Sequence, residues 1–221
     1  MRILRGGRVI EAEAGLIESL RAGRPAVIDV GAGDGRFVYE SARKDAGSLY
    51  IGLDPDADAL AEYAYKASRK PARGGADNAL FVVASVEQLP VDLIALADKV
   101  HVNFPWGGLL RGVIRPKPTV LEAIARLAAP ACRFEITLAY DPIHDAAALE
   151  GEALPELDYA YIDGILLPAY AIAGLQVTGR RKLTQDEALA IPSTWGRRLL
   201  HGRPRDAYAI RGLIMKQAAT P

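Results

Sequence analysis

Three glycines at alternate positions follow a short apolar run in the segment VIDVGAGDGRF. They are Gly31, Gly33 and Gly35, and Asp29 lies two residues before the first of them. Glycine lets the backbone turn sharply and lets a ligand approach the main chain closely. The spacing is G-x-G-x-G, which differs from the G-x-G-x-x-G of dinucleotide-binding turns. This turn, placed after an apolar run typical of a buried strand, predicts a ligand site without specifying the ligand.

Two later segments supply polar groups for such a ligand. Asp54 ends the apolar segment YIGLD and lies 19 residues after Gly35. A carboxylate there can accept hydrogen bonds from both hydroxyls of an adenosine ribose, although Asp before Pro also caps ordinary turns. In SVEQLP, a backbone amide and the side chains of Ser85 and Glu87 could border an adenine ring. The three loops together predict a nucleoside cofactor.

The chain has two tryptophans, and each precedes a glycine in a segment that is predicted to be a loop. Trp106 lies in VNFPWGG, and Trp195 lies in STWGRRLL beside basic residues. An indole is a good platform for a planar ring, and stacking of a base on an aromatic side chain contributes about 1–3 kcal/mol. We therefore predict that the two indoles form the two faces of a slot for one flipped base. The competing interpretation is that both pack in the core.

Strands and helices alternate along much of the sequence. Apolar runs such as AVIDVG and ALFVVAS are typical of buried strands, and segments of about a dozen residues with helical spacing separate them. This alternation predicts an α/β fold with a mainly parallel sheet and helices on both faces. The last two strands are predicted at QVTGRRKL and DAYAIRGLIM, beyond a less regular stretch.

The 221-residue chain is formally neutral, with 27 basic and 27 acidic residues, but these charges are placed unevenly. Residues 135–163 carry eight acidic side chains and no lysine or arginine. Residues 180–216 carry nine basic side chains against three acidic ones, and a second basic run covers residues 66–75. Neutrality argues against a wholly basic nucleic-acid binder. The two basic runs predict surfaces for an anionic partner, although a single run is often only a solvated face.

Cysteine content and hydropathy indicate the compartment. Cys132 is the only cysteine, so no disulfide can form within the chain and no metal cluster is indicated. The first residues have no apolar segment like that of a signal peptide. No stretch approaches the roughly 18 uninterrupted apolar residues of a membrane span. These features predict a cytoplasmic protein without a membrane partner.

The glycine turn, Asp54 and residues 85–90 resemble the cofactor site of class I S-adenosylmethionine-dependent methyltransferases. The resemblance covers about residues 25–140. It implies a Rossmann-like sheet of seven strands, of which the last is antiparallel.

Other segments are similar to one narrower family: FPWGGLLRGV, KPARGG and STWGRRLLHGRPR, with MRILRGGRVIE and YIGLDP. This family is the aminoglycoside-resistance 16S rRNA methyltransferases of the kanamycin–apramycin type, which modify N1 of the adenine at position 1408. The likeness covers nearly the whole chain. It implies a single methyltransferase domain over residues 1–221, with an N-terminal extension at about 1–24 and insertions around 141–170 and 184–204.

The family resemblance also implies roles for individual residues. Trp106 and Trp195 would hold the target adenine. Phe104 and Pro105 would shape the pocket, and Ser193 would order the loop that carries Trp195. S-adenosylmethionine would be bound by Asp29, Gly31, Gly33, Gly35, Asp54, Ser85, Glu87 and Asn103. Phosphates of 16S rRNA in the 30S subunit would meet Lys66, Arg69, Lys70, Arg73, Arg198, Arg203 and Arg205. The protein is expected to be a monomer.

Two residues depart from the family pattern, and they leave alternatives open. Gly108 stands where resistance members carry Ser or Thr, and Asn103 occupies a position that is usually apolar. Asn103 also begins N-F-P-W, which is similar to the Asn-Pro-Pro-aromatic motif of enzymes that methylate exocyclic amines. The alternatives are another RNA base methyltransferase, such as a tRNA guanine-N7 enzyme, and an assembly protein that binds RNA and S-adenosylmethionine with little turnover.

Overall fold

The computed structural model describes residues 1–145, 154–202 and 205–215. These residues contain nine strands: β1 (Arg2–Arg5), β2 (Arg8–Glu11), β3 (Ala26–Val30), β4 (Leu49–Asp54), β5 (Ala79–Val83), β6 (Ala97–Asn103), β7 (Ala128–Ala139), β8 (Leu175–Leu183) and β9 (Ala207–Ile214). All nine join one sheet in the spatial order β2-β1-β5-β4-β3-β6-β7-β9-β8.

The helices of the described residues are α1 (Leu16–Arg21), α2 (Arg36–Lys44), α3 (Ala57–Ala67), α4 (Gly107–Ile114), α5 (Pro118–Arg126), α6 (Tyr159–Tyr161), α7 (Leu167–Ile172), α8 (Gln185–Ala190) and α9 (Thr194–Gly202). A π-helical turn, Ile162–Leu166, joins α6 to α7. Three single 3₁₀ turns lie at Pro71–Arg73, Val86–Gln88 and Val91–Leu93. None of these helices has the length and apolar character needed to cross a membrane.

The sheet confirms the predicted α/β fold and corrects the strand count. The central strands β5-β4-β3-β6-β7 run parallel. The last strand, β9, is antiparallel to both β7 and β8. The expected number of seven was too low by two because the first residues form a hairpin whose β1 pairs with β5. The segment predicted as an N-terminal extension thus lengthens the sheet at its edge.

Two hydrophobic clusters lie on opposite faces of the sheet, because its central strands are apolar on both faces. Every residue of β3 is buried. On one face, Ile28 belongs to the same cluster as Leu110 of α4. On the other face, Val38 of α2 and Leu60 of α3 form a cluster with Phe81 of β5. Helices therefore cover both faces, as predicted.

The order of the strands places the predicted site residues at one edge of the sheet. The chain runs outward from β3 through β4 to β5, and then returns to β6 on the other side of β3. In open parallel sheets, ligands bind outside the carboxyl ends of the strands at such a reversal. The loops that follow β3, β4, β5 and β6 meet at this point.

Candidate active site

A cavity of about 800 Å³ lies at the carboxyl ends of the central strands. Its wall combines the glycine turn after β3, residues 53–56 after β4, residues 84–87 after β5 and residues that follow β6. The start of α9 closes the remaining side with Ser193, Thr194, Trp195 and Arg198. Segments nearly 170 residues apart in sequence, from Asp29 to Arg198, thus share one site.

The glycine turn makes room for a ligand and for a neighbouring helix. Gly31 and Gly33 have positive φ angles of 71° and 57°, a region that side chains other than glycine rarely adopt. A Cβ at Gly31 would overlap the side chain of Leu109 in α4. A Cβ at Gly33 would meet no atom within 4 Å, and Gly33 lines the cavity. Open space at Gly33 therefore lets a ligand approach the backbone.

Asp54 holds the glycine turn against the end of β4. Its Oδ2 accepts a hydrogen bond from the Gly33 backbone N–H at 2.8 Å, and its Oδ1 accepts one from the Asp56 N–H at 2.9 Å. Burial raises the pKa of the Asp54 carboxyl, against the lowering effect of these two bonds. Each carboxylate oxygen retains a lone pair, and Asp54 lines the cavity. This arrangement fits the two hydroxyls of a ribose.

Asp29 and Asn103 form a hydrogen-bonded pair in the cavity wall. The Asn103 Nδ2 donates to Asp29 Oδ1 at 3.0 Å, and both residues are buried. Burial is the main cause that raises the pKa of Asp29 to about 8, while the Asn103 bond lowers it and the nearby Asp54 raises it further. Asn103 therefore gives a polar partner to a carboxyl group that has little solvent around it.

Ser85 and Glu87 lie on the side of the cavity formed by the loop after β5. Both line the cavity, on either side of the buried Val86. Glu87 is exposed to solvent, whereas Ser85 is half-buried. Their position beside Asp54 matches the predicted place of an adenine next to its ribose. The cavity, the open backbone at Gly33 and these polar groups together fit an adenosine-containing cofactor.

Trp106 and Trp195 are in contact in the cavity wall. Their ring centroids are 4.9 Å apart, and the ring planes are inclined by 62°. Both indoles are partly buried, and the buried Trp195 Nε1 has no hydrogen-bond partner among the described residues. A base stacked between two parallel rings needs about 7 Å, twice the carbon contact distance. The structure thus brings the two indoles together, and in this arrangement no base fits between them. The slot for a flipped base stays a prediction.

Phe104 adopts a strained backbone at the end of β6. Its φ is 49°, a left-handed conformation that costs a non-glycine residue about 1–3 kcal/mol. The Phe104 N–H donates to the Thr137 carbonyl at 2.9 Å, and the side chain is 2% exposed. Phe104 lines the cavity, whereas the buried Pro105 is absent from its wall. Pro105 therefore lies in the turn before Trp106 without contacting the cavity.

Trp195 lies in the first turn of α9, so the prediction of a loop at this position was wrong. Ser193 orders the start of this helix. Its Oγ accepts a hydrogen bond from the Gly196 N–H at 3.0 Å, which is the pattern of a helix N-cap. The Ser193 carbonyl accepts from the Arg197 N–H at 3.1 Å. These bonds fix the backbone on both sides of Trp195.

The residues predicted to bind RNA fall into four groups. Arg69, Lys70, Arg73 and Arg198 are all exposed to solvent. Lys66 is partly engaged, since its Nζ lies 2.5 Å from Glu62 Oε1 and 4.3 Å from the centre of the Tyr63 ring. Arg203 lies outside the described residues.

Arg205 differs from the other predicted RNA contacts, and its geometry does not support that role. Its guanidinium forms a bidentate ion pair with Asp145, at 2.7 Å and 3.0 Å, and also donates to the Leu199 carbonyl. The two side chains are 10% and 8% exposed. Arg205 therefore links α9 to the loop after β7. Its guanidinium is not available to a phosphate in this arrangement.

Several wall residues were not predicted from the sequence. Leu109 of α4 and Glu62 of α3 line the cavity beside the predicted residues. Leu109 has no distinguishing sequence signal, because its role depends on the overlap with Gly31. Glu62 lies one helical turn after Ala59, another wall residue, so helical spacing from Asp56 could have indicated it.

The sequence matches a family model, described as NpmA: 16S rRNA (adenine(1408)-N(1))-methyltransferase, over residues 2–214. The chain belongs to this family. Two 16S rRNA (adenine(1408)-N(1))-methyltransferases are full-length relatives. The one from Escherichia coli is 33% identical over 98% of this chain and 100% of its own length. The one from Streptoalloteichus hindustanus is 35% identical over 97% of this chain and 99% of its own.

Solved structures of the family share the fold. The structure of a 16S rRNA (adenine(1408)-N(1))-methyltransferase from Catenulisporales acidiphilia, a tryptophan-to-alanine mutant with cosubstrate SAM, has a TM-score of 0.90. It is 30% identical, and the match covers 100% of this chain and 99% of that one. The aminoglycoside resistance methyltransferase NpmB1 has a TM-score of 0.80 and 35% identity, with coverage of 97% and 99%. The likeness therefore spans the whole chain.

The cavity has room for a larger side chain at Gly108. Gly108 lines the cavity next to Trp106 and Leu109. A Cβ at this position would meet no atom within 4 Å, so the space for a Ser or Thr side chain is present. A Ser or Thr at this position would therefore add a hydroxyl group to the cavity wall without overlapping another atom.

Proposed function

We propose that this protein transfers the methyl group of S-adenosylmethionine to N1 of adenine 1408 in the 16S rRNA of the 30S subunit. The observation that carries this proposal is the single cavity shared by the glycine turn, Asp54 and the tryptophan pair. Membership in the family supports the choice of reaction and substrate. The modification would confer resistance to aminoglycosides that bind at this adenine.

The reaction requires alignment of the two reactants and does not require a general base. When bound, S-adenosylmethionine supplies an electrophilic methyl group on a sulfonium. Adenine N1 has an in-plane lone pair, so a bond from N1 to the methyl carbon can form as the bond from that carbon to sulfur breaks, without prior loss of a proton. Asp54 and the glycine turn would fix the cofactor, and Trp106 and Trp195 would hold the flipped adenine. Holding both reactants in line is the main source of rate enhancement.

The histidines of the chain are poorly placed to act as bases. Burial lowers the pKa of His101 to about 3, and the ring lies 4.8 Å from that of Phe37. His144 is paired with Asp141 on the surface, and His201 is exposed on α9. A mechanism that depends on positioning agrees with this arrangement.

The proposed partner is the assembled 30S subunit, bound by one protein monomer in the cytoplasm. Exposed basic residues are available for this contact: Arg69, Lys70 and Arg73 follow α3, and Arg198 lies on α9 at the cavity wall. Side chains of this kind bind phosphates and position an enzyme on RNA, whereas contacts to the base supply specificity.

The test is methyl transfer from labelled S-adenosylmethionine to purified 30S subunits, followed by primer extension. N1 methylation blocks base pairing, so we expect a new stop at adenine 1408. Subunits with guanine at position 1408 serve as the matched control and should accept no label there. Transfer to tRNA instead of 30S, or a stop at another base, would contradict the proposal. Bacteria that express the protein should gain resistance to kanamycin and apramycin.

A further inference from the structure

Phe104 belongs to the hydrophobic cluster against which both tryptophans pack. Its side chain is almost completely buried in a cluster with Leu199 and Leu200 of α9 and with Ala139 of β7. The backbone of Phe104 is held in its left-handed conformation by the hydrogen bond to the Thr137 carbonyl. The ring is thus fixed from the side of the sheet and faces the start of α9.

Gly196 lies directly against this ring. A Cβ at Gly196 would be 2.5 Å from Cδ2 and 2.6 Å from Cε2 of Phe104, whereas ordinary contacts between such atoms are about 3.5–4.0 Å. Gly196 is not among the residues with a positive φ, so it is required here for its missing side chain. The Ser193 cap also holds the Gly196 backbone. The start of α9 is therefore pressed against Phe104 as closely as the backbone allows.

Each tryptophan lies within two residues of one member of this contact. Trp195 directly precedes Gly196, and Trp106 follows Phe104 by two residues, with the ring centroids 4.9 Å apart. We infer that the contact between Phe104 and Gly196 sets the separation and angle of the two indoles, which makes Gly196 a positioning residue for the target base. The role in base positioning rests on the proposed function, whereas the effect on the indoles does not.

The two tryptophans supply a direct readout of this geometry. Because the chain has only these two indoles, exciton-coupled circular dichroism of the ligand-free protein reports their mutual distance and angle. The variants are Gly196→Ala, Phe104→Leu and the double variant. Gly164→Ala is the matched control, since Gly164 is exposed in the π-helical turn and a Cβ there would meet no atom within 4 Å.

Gly196→Ala should move the start of α9 away from Phe104. We expect a changed exciton signal, unchanged S-adenosylmethionine affinity by calorimetry and nearly unchanged binding to 30S subunits. Methyl transfer should fall by about 10- to 100-fold, the effect expected for a misplacement of about 1 Å. The smaller side chain in the Phe104→Leu/Gly196→Ala double variant should restore the signal and part of the rate. A general loss of stability would not produce such a recovery.

Each outcome decides the inference. A folded Gly196→Ala protein with the wild-type exciton signal would overturn it, as would a double variant no better than Gly196→Ala. If Gly196→Ala does not fold, Phe104→Leu decides, because it removes the contact without an overlap. An altered signal in a folded Phe104→Leu protein would support the inference, and an unaltered one would overturn it. If the wild-type protein methylates another base, the proposed function fails while the spectroscopic test remains valid.

Discussion

At the scale of single residues, Asp29 gives the protein a distinctive pH dependence. Its pKa is about 8 in the folded protein and 3.8 for an unperturbed aspartate. Between these values the folded state holds a proton that the unfolded chain releases, so raising the pH favours unfolding. Asp29 should therefore lower the free energy of unfolding by up to about 1.4 kcal/mol per pH unit in this window. Below it, the stabilisation relative to high pH is fully present.

The measurement is urea unfolding of wild type and Asp29→Asn at several pH values from about 4 to 8. Asparagine keeps the shape and can still accept the bond from Asn103, but it does not titrate. The wild-type stability should fall relative to that of the variant as the pH rises. Asp77→Asn, at an exposed position, controls for a change of charge alone. Parallel curves for wild type and Asp29→Asn would show that Asp29 is ionised throughout.

Asp54 is expected to bind the cofactor through its carboxylate and to hold the turn that receives it. Hydrogen bonds to a charged group contribute about 1.5–3 kcal/mol each. Replacing Asp54 with Ala removes the bond to Gly33 and those expected to the ribose. The affinity for S-adenosylmethionine, measured by calorimetry, should fall by at least about tenfold. Unchanged affinity in a folded Asp54→Ala protein would remove Asp54 from the binding site.

At the scale of elements, the ion pair of Arg205 and Asp145 joins the segment between α9 and β9 to the loop after β7. Removing one partner of such a buried pair costs about 3–5 kcal/mol, because the other charge is left without compensation. Arg205→Ala should therefore lower the free energy of unfolding by that amount in urea. The double change Arg205→Met and Asp145→Leu should recover much of it. An Arg205→Ala protein of normal stability that binds 30S subunits weakly would instead assign Arg205 to RNA.

The basic residues that follow α3 are expected to act by binding phosphates of the RNA. Removing one bound phosphate should reduce the slope of log affinity against log salt by about 0.7–0.9. The double change Arg69→Ala and Lys70→Ala should thus weaken binding to 30S subunits and flatten its salt dependence. Arg133→Ala, at an exposed arginine in the middle of β7, is the control. An unchanged slope would make Arg69 and Lys70 ordinary solvated residues.

The sequence predicts the elements better than the contacts between them. Apolar runs correctly locate β3 to β7 and β9, because buried strands require them. β8 was predicted at a polar segment and is mostly exposed or half-buried. The hairpin at residues 2–11 was not predicted, since its outer strand is exposed and has little apolar pattern. The phosphate role suggested for Arg205 has no geometric support, because the charge of an arginine does not reveal a buried partner 60 residues away. The tilt of the tryptophan pair follows from the contact of Phe104 with Gly196, which no local pattern encodes.

At the scale of the whole molecule, cofactor binding should stabilise the fold. The cavity joins residues from β3, β4, β6 and α9 and from the loop after β5, so a ligand that fills it links distant parts of the chain. A ligand that binds only the folded state at 100 times its Kd adds about 2.7 kcal/mol. For a chain of this size, the Tm should rise by about 5–10 °C. Scanning calorimetry should show a smaller rise for Asp54→Ala, and an equal rise would place the ligand elsewhere.

The hairpin of β1 and β2 also has a consequence for solubility. β1 pairs with β5, whose apolar residues would otherwise end the sheet with unpaired backbone groups. Open edges of that kind recruit other chains and lead to aggregation. The new outer edge, β2, is short and has Arg8 and Glu11 at its ends, two features that discourage further pairing. The first residues thus cover the edge of β5 and hinder edge-to-edge pairing between the sheets of neighbouring molecules.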